Sequence, residues 1–402
     1  MSGVYLTLNA GSSSIKFAVF DAGDASSKPL IRGNVAGIGG TPAFSARSAD
    51  GRALDAGALA TLEVATDHEA VIALLLPWLA AQTADQPLRA IGHRVVHGGR
   101  DLAAPTRITP EVLRQIETLI PLAPLHQPHN AAAIRAVAKW RPDVPQVACF
   151  DTSFHRSQDR VAQLFALPRA LSEEGIIRYG FHGLSYEYIA SVLPDHLDGA
   201  ARARVIVAHL GNGSSMCAMT GGKSAATSMG FTALDGLMMG RRCGALDPGV
   251  ILYLMQQKGM TAEDIGTLLY KQSGLLGVSN LSNDMEILQA SAEPHAEEAI
   301  RLFCYRAASS LAGLIPAIGG LDAVAFTAGI GENSALVRGM ICERLKWLGV
   351  ELSDTANEGH AITISAVTSR VKVLVIPTNE EAVVADACRA VLATAQGGSA
   401  LD

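Results

Sequence analysis

Residues 4–20, VYLTLNAGSSSIKFAVF, set the reading of the whole chain. Val4, Leu6 and Leu8 alternate with Tyr5 and Thr7. Ile15, Phe17, Val19 and Phe20 resume the apolar pattern beyond the small polar residues, which spells a hairpin in a half-buried sheet. The turn collects Asn9, Gly11, Ser12, Ser13, Ser14 and Lys16. These supply backbone N–H groups, hydroxyls and one ammonium, the groups that hold a phosphate oxygen. A Gly-Ser hairpin by itself has low specificity.

Recurrence raises it. Residues 205–220, VIVAHLGNGSSMCAMT, repeat the plan, with Gly211, Asn212, Gly213, Ser214 and Ser215 between two apolar runs. In sequence, Gly11-Ser12-Ser13 lines up with Gly213-Ser214-Ser215. A third glycine-rich turn, Ala328-Gly329-Ile330-Gly331-Glu332-Asn333, follows the strand at 323–327 and opens a predicted helix, the usual place for an anion to meet a helix N-terminus.

A chain of 402 residues exceeds what one hydrophobic core usually supports, so two domains are expected. The net charge of −6 argues against a nucleic-acid partner, which needs a basic face. Any anion must be caught locally, by main-chain amides and a few arginines. The six cysteines are dispersed without a C-x-x-C pair, as suits reduced thiols. The most apolar helical run, 72–81, is too short to span a bilayer. The N-terminus enters a strand directly, without the pattern of a secretory leader, so a cytoplasmic protein is expected.

After the first hairpin, 22–48 reads as surface loops and edge strands. A helix is predicted over 66–82, with Thr66 or Asp67 as N-cap. The strand 90–96 places Arg94 and Val96 on one face and His93, Val95 and His97 on the other. A guanidinium beside an apolar surface suits a small carboxylate with a short alkyl tail. His93 and His97 lie too far apart along a strand to share a zinc ion. Thr109-Pro110-Glu111 starts a helix. A Pro-bounded loop, 125–129, precedes a helix over 130–140. The strand 146–150 ends in Asp151, and ligands gather beyond the carboxyl ends of strands in open α/β sheets. Phe181 and His182 fall in a Gly-flanked loop. The long connection 222–248, which contains Arg241 and Arg242, reads as a functional loop. Asp247-Pro248 opens a helix that Gly259 closes, Thr261 starts another, and Glu380 begins the last. Strand hairpins followed by strand–helix alternation in both halves predict two α/β domains of similar topology with a cleft between them.

The motifs LNAGSSSIKF, GHRVVHGG, LAPLHQPHN, CFDTSFH, RYGFHGLSY, AHLGNGSS, TSMGFTALDGLMMG, RCGALDPG, SGLLGVSNLSND, FTAGIGENS and PTNEEAVVA occur in that order. On them the chain resembles the acetate and propionate kinase family, within the sugar kinase, heat-shock chaperone and actin superfamily. The resemblance covers essentially the whole chain. It implies two actin-like (ribonuclease H-like) domains with an active-site cleft between them. The expected boundaries are 1–150 plus 382–402 for the domain on the acyl and Mg²⁺ side, and 151–381 for the nucleotide domain. It also implies a homodimer, ATP/ADP as co-substrate, and Mg²⁺, or Mn²⁺ in its place.

Residue by residue, the resemblance implies Asn9 and Glu380 as metal contacts, with Glu381 as the adjacent alternative. Ser12, Ser14 and Lys16 would touch the β/γ-phosphates. His209, Leu210, Gly211, Asn212 and Gly213 would hold the nucleotide, with Asp284, Met285 and Glu286 and with Gly329, Ile330, Gly331, Glu332 and Asn333. Arg94 and Arg242 would neutralise the acceptor carboxylate and the moving phosphoryl group, His182 would donate to that group, and His126 would assist. Asp151 is the family's catalytic acid or base. A carboxylic acid with a pKa near that of Glu, about 4.3, is already ionised at pH 7, so Asp151 is expected chiefly to orient Arg94 or a metal-bound water. Val96, Leu125, Phe181 and Ala233 would line the acyl pocket.

Two departures stand out. Relatives commonly have an aromatic and an arginine after the aspartate where this chain has Met285 and Glu286, which loosens base recognition. GFTALDG has Ala233 where Pro is frequent, which leaves room for an extra methylene. The implied reaction is reversible, in-line transfer of the ATP γ-phosphoryl group to acetate. The alternatives are a propionate or butyrate kinase with the same machinery, or a non-catalytic nucleotide-binding module. The last has no use for Arg94, Arg242 and a small apolar pocket together.

Overall fold

The computed structural model describes residues 3–24, 28–62, 67–84 and 86–397. The chain forms two compact units, one ending at Ser153 and resuming at Asn379, the other spanning Phe154–Thr378. Compared with the expected boundaries, Asp151, Glu380 and Glu381 therefore sit in the first unit. The reason for Asp151 is local: its N–H donates to Val95 O at 3.0 Å and extends the strand ladder by one residue.

The first unit holds strands β1 (Val4–Ala10), β2 (Ser14–Asp21), β3 (Ile31–Ala36), β4 (Ala43–Ser48), β5 (Leu88–Val95), β6 (Thr106–Arg107) and β7 (Gln146–Phe150). Their order is β4-β3-β2-β1-β5-β7-β6. The first four form an antiparallel meander, so the segment expected as loops and edge strands is two regular strands. β1, β5 and β7 run parallel. Their carboxyl ends therefore lie at one edge of the sheet and bring Asn9, Arg94 and Asp151 to that edge.

One face of this sheet packs Leu6, Leu8, Ile15 and Phe17 against Ile72, Leu75 and Trp78 of the helix His68–Gln82. Full burial of side chains of this size stabilises by about 1.5–3 kcal/mol each. Asp67 caps that helix by accepting from Ala70 N, while Thr66 lies outside the described residues. The helix Glu380–Gly397 packs on β1 and β5. Gly92 permits that approach: a Cβ there would stand 2.4 Å from Val384 Cγ1 and 2.8 Å from Cys388 Sγ.

The second unit holds β8 (Arg204–Leu210), β9 (Ser214–Thr220), β10 (Lys223–Thr227), β11 (Ala323–Thr327) and β12 (Lys372–Val375), in the order β10-β9-β8-β11-β12. Three antiparallel strands followed by two parallel ones repeat the plan of β3-β2-β1-β5-β7. β10 occupies the start of the stretch expected as a long loop, which shortens the irregular connection to 228–247. The helices Pro248–Lys258 and Ala262–Lys271 begin at Asp247 and at a Thr261–Asp264 capping box, as predicted.

The strand registers correct the sequence alignment of the two hairpins. Ala10 pairs with Ile15 and Leu210 with Ser214, so Gly11 corresponds to Gly211, not to Gly213. The sequence match is offset because the first turn spans four residues between paired positions and the second only three. Ser214 and Ser215 belong to β9 rather than to the turn.

Candidate active site

Arg94 is the hub of the first unit's site. Its Nε donates to Asp151 Oδ1 at 3.0 Å and its Nη2 to Asp151 Oδ2 at 2.7 Å, while Nη1 lies 3.2 Å from Glu380 Oε2. Burial works against the guanidinium charge, but the carboxylates of Asp151 and Glu380 outweigh it and raise its pKa above the ordinary value. Asn9, Arg94, Glu380 and Glu381 line one small cavity with Thr7, Leu8 and Val384. Glu381 turns toward Arg32, with Oε2 3.7 Å from Nη2. An amide oxygen and a carboxylate beside a cavity are hard oxygen donors, a set that fits Mg²⁺ keeping several waters. No cluster of three His, Cys, Asp or Glu occurs among the described residues, and such an ion does not require one.

The phosphate-type turn is braced from below. Gly11 N donates to Ser14 O at 2.8 Å. Gly11 O is 2.7 Å from His68 Nε2, and facing a carbonyl this nitrogen must be the donor. Ser12 and Lys16 are exposed and Ser14 is half-buried. Asn130 Nδ2 donates to Ala10 O at 2.8 Å and its Oδ1 accepts from Val96 N at 3.0 Å, so one buried amide ties the ends of β1 and β5 together. Gln127 does the same for both main-chain groups of His97. The helix carrying them starts at Gln127, not at 130, because Pro128 sits in the first turn, where its missing N–H costs nothing. His126 is the N-cap residue of that helix. Val96 is nearly buried and Leu125 half-buried. Gln127 and Asn130 fall within the motif LAPLHQPHN, which by itself predicts no role for either amide. Their signal is two amides three apart on an otherwise alanine-rich helix.

In the second unit, His182 has a left-handed backbone, φ +58°, directly before the helix Gly183–Val192. For a non-glycine residue that conformation costs on the order of 1–3 kcal/mol and persists only when its surroundings hold it. Buried His155 supplies part of the hold: its Nε2 is 3.0 Å from Phe181 O, and Gly180 leaves room for its ring. The His182 ring stacks on His209 with centroids 4.2 Å apart. His182 and Arg242 converge on the glycine turn, since a Cβ at Gly213 would stand 3.2 Å from His182 Nε2 and 3.1 Å from Arg242 Nη2. Arg242 Nη1 donates to Ala233 O at 2.6 Å. Burial pulls the Arg242 pKa down, and among the described residues no carboxylate pairs with it. Phe181 is fully buried and Ala233 half-buried.

A cavity of about 1010 Å³ opens beside these groups, lined by Gly211, Asn212, Asp284, Met285, Glu286, Gly329, Ile330 and Asn333. Asn283, Gln289, Ala290 and Ser334, which sequence reading did not single out, complete the wall. Asp284 caps the helix Met285–Ala290 by accepting from Glu286 N at 2.8 Å. Met285 is buried and Glu286 exposed, so the apolar surface an aromatic would offer is reduced at this wall.

Five expected nucleotide residues do not line the cavity; Gly213 lies instead at the turn facing His182 and Arg242. Leu210 and Gly331 are buried, and His209 is held by Ser185. Glu332 turns inward, its Oε1 accepting from Ala328 N at 2.7 Å and Thr378 N at 3.1 Å. That bond holds Ala328 at φ +65°, the sharp step from β11 into the helical turn Ala328–Asn333. Fully buried Arg338 secures the far end by donating to Gly331 O and Glu332 O.

Two units built on the same ribonuclease H-like plan, one with a phosphate-type turn and one with a nucleotide-sized cavity, define a kinase of the actin-like phosphotransferase class. Residues 4–386 match the Acetokinase family. An acetate kinase of Rhodopseudomonas palustris is 52% identical over 404 residues, covering 99% of this chain and 100% of that protein. One of Rhizobium meliloti is 48% identical, covering 94% and 96%. Among solved structures, a propionate kinase from Francisella tularensis superposes with a TM-score of 0.87 at 35% identity, covering 96% of this chain and 99% of the other. Porphyromonas gingivalis acetate kinase gives 0.84 at 34%, covering 97% and 100%. The chain belongs to the Acetokinase family and is a phosphotransferase that uses ATP.

Proposed function

We propose that the protein transfers the γ-phosphoryl group of ATP reversibly to acetate, giving acetyl phosphate and ADP by direct in-line displacement. The observation that carries this reading is Arg242, a half-buried guanidinium beside His182 with a carbonyl partner but no carboxylate among the described residues. A cation in that condition is poised for an anion, and a planar fork matches a carboxylate or phosphoryl group. Arg94 is already balanced by Asp151 and Glu380, which suits a group that is held in place and orients others.

The acceptor needs no general base, because an acid of pKa about 4.3 is ionised at pH 7. Catalysis is then positioning and charge neutralisation. Ser12, Ser14 and Lys16 meet the β/γ-phosphates. The second unit's cavity takes the nucleoside, with Gly211, Asn212, Asp284, Gly329, Ile330 and Asn333 around it. His182 donates from Nε2 to an oxygen of the phosphoryl group, Arg242 neutralises its charge, and Asp151 fixes Arg94. Asn9 and Glu380 would hold Mg²⁺, which when bound screens the charge of the phosphates. Val96 and Leu125 in the first unit, and Phe181 and Ala233 in the second, are the residues proposed to meet the acyl chain.

Propionate is the second reading, favoured by Ala233 where relatives frequently carry Pro. One methylene is worth about 1–3 kcal/mol in such discrimination. Trapping the acyl phosphate as hydroxamate from ATP, Mg²⁺ and each acid tests both. Acetate should give hydroxamate with the higher kcat/KM. A larger value with propionate selects the second reading, and no hydroxamate from any short-chain acid overturns both.

We further propose a cytoplasmic homodimer. Among the described residues no helix is long and apolar enough to cross a membrane. The helix Pro248–Lys258 buries none of its residues and exposes Val250, Leu252, Tyr253 and Met255. An apolar surface of that kind suits a second copy of the chain.

A further inference from the structure

Tyr186, Ser215 and His182 form a chain of polar atoms behind the site. Tyr186 OH is hydrogen-bonded to Ser215 Oγ, and Ser215 Oγ lies 2.8 Å from His182 Nδ1. Tyr186 and Ser215 are both fully buried. From these contacts we propose that Tyr186 and Ser215 are positioning residues that lock His182 in the neutral tautomer with its proton on Nε2.

The argument is one of proton counting. A buried hydroxyl proton needs an acceptor, and leaving one unmade costs about 1–3 kcal/mol. Among the described residues Ser215 Oγ is the partner of Tyr186 OH. Burial also raises the Tyr186 pKa well above its ordinary value, so the phenol keeps its proton. Tyr186 must therefore donate to Ser215. The single proton of Ser215 is then directed to His182 Nδ1, which can only accept. The proton of the neutral ring is left on Nε2, the atom nearest Gly213 and Arg242 Nη2. In the opposite sense, with Ser215 donating to Tyr186, the phenolic proton would have no acceptor.

The neighbouring ring follows the same pattern. His209 Nδ1 is 2.8 Å from Ser185 Oγ, which is 2.9 Å from Thr378 Oγ1. The two imidazoles stack with centroids 4.2 Å apart, and Arg242 also lies at the Gly213 turn.

The inference rests on the proposed phosphoryl-binding role of His182, but its test does not depend on turnover. Nitrogen-15 NMR of histidine-labelled full-length protein, with His182 assigned by loss of its signals in His182→Gln, reads the tautomer directly. Wild type should show a protonated Nε2 and an unprotonated Nδ1 at pH 8. Tyr186→Phe frees the Ser215 hydroxyl to rotate and should populate both tautomers, with kcat reduced about threefold to tenfold and KM for ATP within twofold. Ser215→Ala should lose the bias and more than tenfold in kcat, and Ser215→Thr should restore both. A wild-type ring protonated on Nδ1, or a tautomer unchanged in both Tyr186→Phe and Ser215→Ala, overturns the proposal. Absence of acyl phosphate formation in wild type would refute the kinase reading while leaving the tautomer result to stand or fall separately.

Discussion

Replacing Asp151 by Asn changes one atom type and removes one charge at the most connected point of the first unit. Asp151 is 1% exposed and accepts from Arg94 through both oxygens, at 3.0 and 2.7 Å. Asn keeps one acceptor but turns an N–H donor toward a guanidinium that also only donates. The bidentate pair is lost, and Arg94 is left with Glu380 at 3.2 Å. Breaking a buried pair by removing one partner costs about 3–5 kcal/mol, and the remaining carboxylate offsets part of it. A net loss of about 2–3 kcal/mol, mostly in the placement of Arg94 during transfer, corresponds to about 30–150-fold in kcat. KM for the acid should rise less than tenfold, since charge at the site is misplaced rather than abolished. Hydroxamate assays with saturating ATP give kcat, and circular dichroism melts verify that the variant is folded at the assay temperature. A kcat within twofold of wild type in a folded variant would show that Asp151 has only a packing role and that the Arg94 geometry is not used in transfer.

Further outcomes follow from the same contacts. Gly213→Ala places a methyl 3.1 Å from Arg242 Nη2 and 3.2 Å from His182 Nε2, tighter than ordinary van der Waals contact. About tenfold loss in kcat with an unchanged melting temperature is expected, and unchanged steady-state kinetics would separate these groups from the chemistry. Leu252→Asp puts a charge on the exposed apolar helix 248–258 and should halve the mass seen by light scattering without lowering the melting temperature. A dimer of unaltered mass would place the interface elsewhere. Burial holds His93, His97 and His155 at pKa values of about 4, below the 6.5 of an unfolded histidine. The native state therefore refuses protons that the unfolded chain accepts. Stability present above pH 6.5 is lost as pH falls toward 4, by about 1.4 kcal/mol per pH unit for each ring. Urea titrations at pH 7, 6 and 5 should show the decline, and His155→Gln should flatten the slope; an equal slope in that variant would contradict the assignment.

Much of the architecture was legible because strands announce themselves by alternation and helices by their caps. Asp247, Gly259 and Thr261 mark their helix ends through local hydrogen bonds and a left-handed glycine, which sequence encodes directly. The misreadings share a physical origin. Turn length is not visible from composition, so the sequence match of Gly11 to Gly213 was two residues out. Side-chain direction inside a glycine-rich turn depends on partners far along the chain. Glu332 looks like a ligand group until Ala328 N and Thr378 N are found to need its carboxylate. Asn130, Gln127 and His68 act by holding other residues; of these only the two amides, three apart on an alanine-rich helix, leave a trace in the sequence.

The duplicated plan explains why one fold can carry two kinds of site chemistry. In each hairpin the penultimate residue of the first strand faces a partner across the ladder: Asn9 faces Lys16, and His209 faces Ser215. The main chain is the same in both, because a strand end before a tight turn exposes the same amides wherever it occurs. The side chains have diverged in charge. At the first hairpin they are an amide and an ammonium, close in the sheet to Arg94 and two carboxylates. These fixed charges suit a metal ion and the phosphates it screens. At the second they are an imidazole and a hydroxyl, continued by Tyr186, Ser185 and Thr378 into chains of neutral groups. Neutral donors with fixed proton positions suit a phosphoryl group whose charge changes during transfer, since they need no reorganisation at that moment. Exchanging the pairs should then fail in both directions. Asn9→His would present a ring without a hydroxyl chain behind it, and Ser215→Lys would bury an ammonium with no carboxylate among the described residues near Ser215 to balance it.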